Sequence, residues 1–165
     1  MVIFCWSNDI WNKTKQLLEE KVGSFQIIRN KYGKPYLKKS EVYFNISHCG
    51  DLGVSIIDKY ECGIDVEKIR EYSDLMALKF CSDNEYKFLS EVDNKDYYFT
   101  IIWTLKEAYL KCLGTGITVP MNSINFIKNG KLLLELGSLN FSILNRENYI
   151  VAICRKLGSY AGSSC

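Results

Sequence analysis

Two segments constrain this chain more than any other part of it: Gly63-Ile64-Asp65-Val66-Glu67 and the later run Trp103-Thr104-Leu105-Lys106-Glu107-Ala108-Tyr109-Leu110-Lys111. In the first, acidic Asp65 and Glu67 alternate with apolar neighbours, which is the period of a half-buried strand. Both carboxylates then leave one face of the strand, about 6.6 Å apart at a rise of roughly 3.3 Å per residue, and can converge on one ion. Two solvated charges on an edge strand are the alternative.

The second segment belongs to a predicted helix that runs from Lys95 or Asp96 to Leu113 and ends at Gly114 in a left-handed conformation. Helical spacing predicts a core stripe of Ile101, Ile102, Leu105, Tyr109, Cys112 and Leu113. Trp103, Glu107 and Lys111 are spaced i, i+4 and i+8, so they share another face of the helix. An exposed ion pair between Glu107 and Lys111 is the alternative to a functional face.

The two segments form a cation site if they meet in the fold. Asp65, Glu67 and Glu107 would supply carboxylate oxygens, which Mg²⁺ prefers, with Mn²⁺ as an alternative ion. Lys111, one turn beyond Glu107, would bind phosphate oxygens as a point charge. The sequence therefore predicts chemistry on a phosphate or pyrophosphate.

Four motifs follow one another along the chain: Tyr32-Gly33-Lys34-Pro35-Tyr36, Phe44-Asn45-Ile46-Ser47-His48, Gly-Ile-Asp-Val-Glu-Lys at 63–68 and Trp-x-x-Lys-Glu-Ala-x-x-Lys at 103–111. In this order and spacing they resemble the 4′-phosphopantetheinyl transferases, specifically the longer, surfactin-synthetase-activating type. The resemblance implies an α+β fold of two pseudo-repeated antiparallel-sheet and helix halves, at about 1–60 and 61–157 of a single domain over 1–157. Residues 158–165 are expected to form a mobile tail.

The resemblance also implies an activity. A member of this family transfers the 4′-phosphopantetheine arm of coenzyme A to a serine of an apo acyl or peptidyl carrier protein, with Mg²⁺, and releases 3′,5′-adenosine bisphosphate. By the family pattern Asp65, Glu67 and Glu107 hold the metal, and Glu107 or a metal-bound water is the base that takes the serine proton. The coenzyme A contacts implied for this chain are Lys34, Ser47, His48, Lys106 and Lys111.

His48 is the single histidine of the chain. A lone histidine is more often a structural hydrogen-bonding residue than a ligand-binding one, whereas its place after a predicted strand and within a family motif favours phosphate contact. The basic residues around the first motif suit an anionic nucleotide or an acidic carrier protein, and the sequence does not separate these two; they are Arg29, Lys31, Lys34, Lys38 and Lys39.

The chain departs from the family before Tyr32, where it offers one short strand, Val2 to Trp6, and one helix, about Asp9 to Val22. Part of the helical layer of the first half is therefore expected to be missing, which would expose apolar surface or open the coenzyme pocket. Three outcomes follow from this: a homo-oligomer that covers the gap, a weak enzyme, or a truncated non-catalytic relative that binds coenzyme A or a carrier protein. A metal-dependent nuclease is a weaker hypothesis than these, because it does not explain the pattern from Trp103 to Lys111.

The composition of the chain argues against several other classes of protein. The chain has 165 residues, 47% of them hydrophobic, and a net charge of +2, with no apolar run long enough to cross a membrane and no basic surface typical of nucleic-acid binding. Seven cysteines without a CxxC pair fit free thiols in a reducing cytoplasm. The first residues lack a basic region, so we expect a strand rather than a signal peptide.

Local signals predict the other elements. Ser82-Asp83-Asn84-Glu85 has capping-box spacing and predicts a helix over about 83–90. An Asn129-Gly130 turn predicts a hairpin of strands at 124–127 and 132–136. Further strands are expected near 25–28, 42–47, 52–58, 62–67, 139–145 and 148–155.

Overall fold

The structure is a computed structural model that describes residues 1–6, 9–116 and 118–157. Its strands are β1 Val2–Cys5, β2 Ile27–Arg29, β3 Pro35–Leu37, β4 Tyr43–Cys49, β5 Leu52–Asp58, β6 Cys62–Lys68, β7 Ile127–Lys128, β8 Lys131–Leu132, β9 Glu135–Leu136, β10 Leu139–Arg146 and β11 Tyr149–Lys156. Its helices are α1 Ile10–Val22, α2 Asp74–Phe80, α3 Asp83–Glu91 and α4 Lys95–Leu113, with a 3₁₀ turn at Met121–Ser123. None of the described helices combines the length and the apolar character that a bilayer crossing requires.

The first sheet has the antiparallel order β1-β5-β4, and α1 covers one of its faces. Leu18 of α1 packs there with Phe44 and Ile57 in a buried cluster. A buried hydrogen bond of 2.8 Å from Thr14 Oγ1 to Ser55 Oγ also joins the helix to the sheet. Helix α1 therefore covers part of this face, while Ile46 of β4 stays only partly buried.

The second sheet has the order β6-β11-β10-β9, and α4 packs against it. A Cβ atom at Gly63 would lie 2.2 Å from the carbonyl oxygen of Ala108 and 2.3 Å from the amide nitrogen of Cys112. Real Cβ atoms do not approach backbone this closely, so only glycine lets β6 and α4 meet here. This contact fixes the helix beside the strand that carries Asp65.

The remaining faces of the two sheets pack on each other. Val54 and Ile56 of β5 share a buried cluster with Ile64 and Val66 of β6 and with part of β11. The layers therefore run α1, first sheet, second sheet, α4. Aliphatic side chains at alternate positions on both sheets supply this central layer of the core.

Strands β4 and β6 lie side by side where the two sheets meet. They belong to different sheets, and side chains bridge them: Asn45 Oδ1 accepts from the Ile64 amide at 2.9 Å, and Cys49 Sγ accepts from the Lys68 amide at 3.4 Å. The side chains of β4 that point toward β6 thus come to lie beside its acidic residues.

The α+β class is confirmed, as are helix α4, its left-handed end at Gly114 with φ of 65° and the capping box at Ser82. Two elements, β3 and α2, were not predicted, and the hairpin at the Asn129-Gly130 turn is shorter than expected. The placement of Leu113 in the core was wrong, because its side chain is 38% exposed at the end of α4. The tail expected at 158–165 lies outside the described residues.

Candidate active site

Asp65 stands at the junction of three elements. On β6, its Oδ1 accepts a hydrogen bond of 2.6 Å from Lys111 Nζ of α4 and one of 2.8 Å from Ser47 Oγ of β4. Lys111 Nζ also lies 2.8 Å from Ser47 Oγ. The two motifs predicted to meet do so, and Ser47 of a third motif joins them.

The second oxygen of Asp65 is left without a partner. The residue is only 4% exposed, and Oδ2 is the buried side-chain polar atom that makes no hydrogen bond within the described part of the chain. Burial raises the pKa of this carboxyl, while Lys111 and then Ser47 act to lower it. A buried polar atom without a partner is costly, so this oxygen is suited to a ligand that is absent from the protein alone.

Glu107 lies one helical turn before Lys111 and is partly buried. Its side chain makes no hydrogen bond or ion pair with another described residue. Burial raises its pKa, and the negative charge of Asp65 raises it further, while Lys111 opposes the shift. The carboxylate of Asp65 on β6 therefore lies close enough to repel the carboxylate of Glu107 on α4.

Both oxygens of Glu67 are engaged. Trp103 Nε1 donates to Oε1 at 3.0 Å, and Arg70 Nη2 forms an ion pair with Oε2 at 2.5 Å. The Arg70 guanidinium also lies over the Trp103 ring, 5.1 Å from its centroid.

The three carboxylates are not gathered into a metal centre. Among the described residues, no three His, Cys, Asp or Glu side chains are grouped closely enough to hold an ion. Lysine and arginine side chains are paired with Asp65 and Glu67 instead. The residues nevertheless fit a divalent cation, because the donors are carboxylate oxygens and Asp65 Oδ2 has no hydrogen-bond partner within the described part of the chain. Burial, and then the negative charge of Asp65, raise the pKa of Glu107, and a bound cation would offset both effects.

A cleft of about 300 Å³ opens beside this cluster. Glu107 and Lys111 line one side of it, and residues of the first motif line another. Its full lining is Tyr32, Lys34, Pro35, Asn45, Ile46, Glu107, Leu110, Lys111, Gly114 and Gly116. The cleft therefore joins the predicted phosphate-binding lysines to the acidic cluster.

Lys34 reaches the cleft, but its ammonium is already bonded. Nζ donates to the Cys112 carbonyl at 2.7 Å and to the Cys62 carbonyl at 3.1 Å. Asn30 Nδ2 donates to the Gly114 carbonyl at 2.7 Å. Together these bonds hold the first motif against the C-terminal end of α4, where carbonyl groups lack helical partners.

Lys106 does not reach the cleft, which corrects the expectation that it contacts coenzyme A. Its side chain is 1% exposed, and Nζ forms an ion pair with Glu85 at 2.5 Å and donates to the carbonyls of Phe80 and Met121 at 2.8 Å. All three ammonium hydrogens have protein acceptors. The residue therefore anchors α4 to α3 and to the 3₁₀ turn.

His48 also lies outside the lining of the cleft. Its side chain is exposed and, by strand alternation, leaves β4 on the face opposite that of Ser47.

Sequence reasoning missed Arg70, which lies after the end of β6. The only available signal was its position three residues beyond Glu67.

A family model described as the 4′-phosphopantetheinyl transferase superfamily matches residues 61–154. This range contains strand β6 and helix α4, which carry the three carboxylates. It begins just before β6 and ends within β11.

Two curated proteins illustrate the similarity. The 4′-phosphopantetheinyl transferase gsp of Aneurinibacillus migulanus is 39% identical over 103 residues, which are 61% of this chain and 43% of that protein. The 4′-phosphopantetheinyl transferase Sfp of Bacillus subtilis strain 168 is 34% identical over 110 residues, which are 64% of this chain and 49% of that protein. The chain spans about half the length of these relatives.

A crystal structure of holo-acyl-carrier-protein synthase from Thermotoga maritima is similar at 22% identity with a TM-score of 0.48. The match covers 58% of this chain and 61% of that one. Similarity at this level supports no inference about the site.

Proposed function

Since this chain belongs to the 4′-phosphopantetheinyl transferase superfamily, we propose that it transfers the 4′-phosphopantetheine arm of coenzyme A to a serine of an apo acyl or peptidyl carrier protein. The products of this transfer are the holo carrier protein and 3′,5′-adenosine bisphosphate. A non-catalytic relative that binds coenzyme A or a carrier protein is the second candidate. The observation that favours the second is that, among the described residues, no three possible ligand side chains are grouped closely enough to hold a metal ion.

One observation carries the proposal: Lys111 and Ser47 converge on buried Asp65 beside a cleft that Glu107 and Lys34 also line. A cation-binding carboxylate and two lysines on one cleft suit a substrate with several phosphates. A simple packing role does not account for the unpartnered Asp65 Oδ2. Buried polar groups in a packed core normally have partners.

We propose that Asp65, Glu67 and Glu107 hold Mg²⁺, with Mn²⁺ as an alternative ion. When bound, the ion would neutralise negative charge on the coenzyme A pyrophosphate. Binding would also remove the repulsion between Asp65 and Glu107, and it would supply a partner for Asp65 Oδ2. A bound ion would therefore relieve two unfavourable features of the protein alone.

The remaining steps fall to the side chains. Lys111 lines the cleft and would bind phosphate oxygens as a point charge. Glu107 takes the proton of the carrier serine as the serine Oγ–P bond forms and the P–O bond to adenosine bisphosphate breaks.

Cys49, Cys62, Cys81, Cys112 and Cys154 are free thiols. All of these but Cys49 are buried, and such residues usually act as small apolar side chains. This supports a reducing cytoplasm as the place where the protein works. Self-association stays a prediction.

The test is incubation of the purified protein with coenzyme A, Mg²⁺ and a panel of apo carrier proteins, followed by intact mass spectrometry. A gain of about 340 Da on a carrier protein, the mass of the arm on one serine, supports the transferase. Asp65→Asn should abolish the gain, and Glu19→Ala, which removes an exposed carboxylate on α1, should not. Coenzyme A binding without any mass gain would favour the non-catalytic relative.

A further inference from the structure

Arg70 is held in place from three sides. Its Nη2 is paired with Glu67 Oε2 at 2.5 Å, and its guanidinium lies over the Trp103 ring. Its backbone amide donates to Thr100 Oγ1 of α4 at 3.2 Å. The side chain therefore has a defined position beside an acidic cluster rather than a free, solvated one.

The three carboxylates of the site differ in what they offer a cation. Asp65 keeps one oxygen without a hydrogen bond, and Glu107 makes no hydrogen bond or ion pair to another described residue. Glu67 is more occupied: Oε1 accepts from Trp103, and Oε2 accepts both from Arg70 and from the thiol of Cys49 at 3.7 Å. Because an oxygen offers two lone pairs, Oε2 can bind a metal ion only by giving up one of its two donors.

Arg70 is the partner that a metal ion would displace. Trp103 and the Cys49 thiol are neutral donors, and both can keep their hydrogen bonds while an ion takes the place of the guanidinium at Oε2. The guanidinium carries a positive charge, so it both occupies the oxygen and repels the incoming cation. A partly exposed ion pair of this kind adds little to folding, and its two side chains are 34% and 19% exposed.

We propose that Arg70 competes with the divalent cation for Glu67 and so lowers the affinity of the site for metal. Arg70 is then a positioning residue: in the metal-free protein it holds Glu67 against Trp103, and on loading it releases Oε2. The inference rests on the proposed function only in that these carboxylates bind a cation. It holds whether or not the arm is transferred.

The test is titration of the protein with Mn²⁺, in which the electron paramagnetic resonance signal of free Mn²⁺ reports binding directly. Arg70→Ala should bind Mn²⁺ about three- to tenfold more tightly than the unaltered protein, the range expected for loss of one weak competing ion pair. Arg70→Lys, which keeps the charge, should stay near the unaltered protein. Lys68→Ala is the matched control, since it removes an exposed positive charge whose side chain leaves β6 on the face opposite Glu67.

A double-mutant cycle separates competition from a general electrostatic effect. In a Glu67→Ala background, Arg70→Ala should no longer tighten Mn²⁺ binding. Thermal melting of each variant checks that it is folded, and Arg70→Gln replaces Arg70→Ala if the latter is not.

Two failures are distinguishable. If the unaltered protein takes up Mn²⁺ and Arg70→Ala binds it equally or more weakly, the role of Arg70 is wrong and the metal site stands. If the unaltered protein takes up no Mn²⁺, the proposed metal site itself is wrong, and this inference with it.

Discussion

Lys111 Nζ lies 2.6 Å from Asp65 Oδ1, so a lysine of α4 neutralises a buried aspartate of β6 in the protein alone. The side chain of Lys111 is 30% exposed, and the side chain of Asp65 is 5% exposed. The pair is therefore open to the cleft from the lysine side only. A ligand that binds Asp65 from the cleft must first meet Lys111.

Replacing Lys111 by Met should affect chemistry far more than folding. The variant loses a phosphate-binding charge, so we expect the transfer rate to fall by about 10²–10³-fold, as for other lost charge-stabilising donors. Asp65 then loses its positive partner and becomes easier to protonate, which limits the cost to stability. Transfer rates from intact mass and melting temperatures from circular dichroism measure the two effects. A large fall in melting temperature with an unchanged rate would contradict this role.

Replacing Lys106 by Met should give the opposite result. The change leaves Glu85 as an unpaired buried carboxylate, and loss of one partner from a buried ion pair typically costs about 3–5 kcal/mol. Coenzyme A affinity of the folded fraction should be unchanged, because the buried side chain of Lys106 does not line the cleft. Urea unfolding and calorimetric titration with coenzyme A are the measurements. Weaker coenzyme A binding by a fully stable variant would restore the original expectation for Lys106.

Replacing Glu107 by Gln should stabilise the metal-free protein at neutral pH. The folded-state pKa of Glu107 is raised, so its contribution to stability is fully present below the unfolded pKa of about 4.3 and is lost as the pH rises through the folded value. The melting temperature of the variant should thus exceed that of the unaltered protein at pH 7, and the difference should shrink toward pH 4. Melting curves across this range without metal test the sign. Added Mg²⁺ should reverse the order at pH 7.

Replacing Trp103 by Ala should cost stability. Its ring meets Phe80 edge-on at 4.9 Å between centroids and lies near Phe99, but it is only partly buried. We therefore expect a loss of about 2–3 kcal/mol, below the 3–5 kcal/mol typical of a fully buried tryptophan. Trp6→Ala, at a side chain 53% exposed, should cost less than half as much. Equal losses in urea unfolding of the two variants would show that Trp103 is not an anchor of the core.

Much of the site could be predicted because its residues lie in regular elements. Alternation on β6 predicted Asp65 and Glu67, and helical spacing predicted the shared face of Glu107 and Lys111. The pairing of Arg70 with Glu67 could not be predicted, since a residue after a strand carries no periodic signal. The burial of Lys106 depends on Glu85 of α3, a tertiary contact that local spacing does not contain.

The fold shows the same division. Strands with strong alternation and helices with clear ends were predicted at nearly their observed bounds. Helix α2 was missed because Leu75 and Leu78 point outward, 80% and 60% exposed, so its sequence lacks a clear apolar stripe. The cover that α1 gives the first sheet could not be foreseen, because it depends on close contacts such as the Thr14 to Ser55 hydrogen bond.

The strand order of the second sheet determines when the site can become ordered during synthesis of the chain. Strand β6 carries two of the carboxylates, and its ladder partner is β11, in which Ala152 is paired with Asp65 and Ile150 with Glu67. A ribosome therefore releases both acidic residues long before the strand that aligns them emerges. Pairing between strands so distant in sequence is slow, so the nascent chain has no ordered site until residues 149–156 are available.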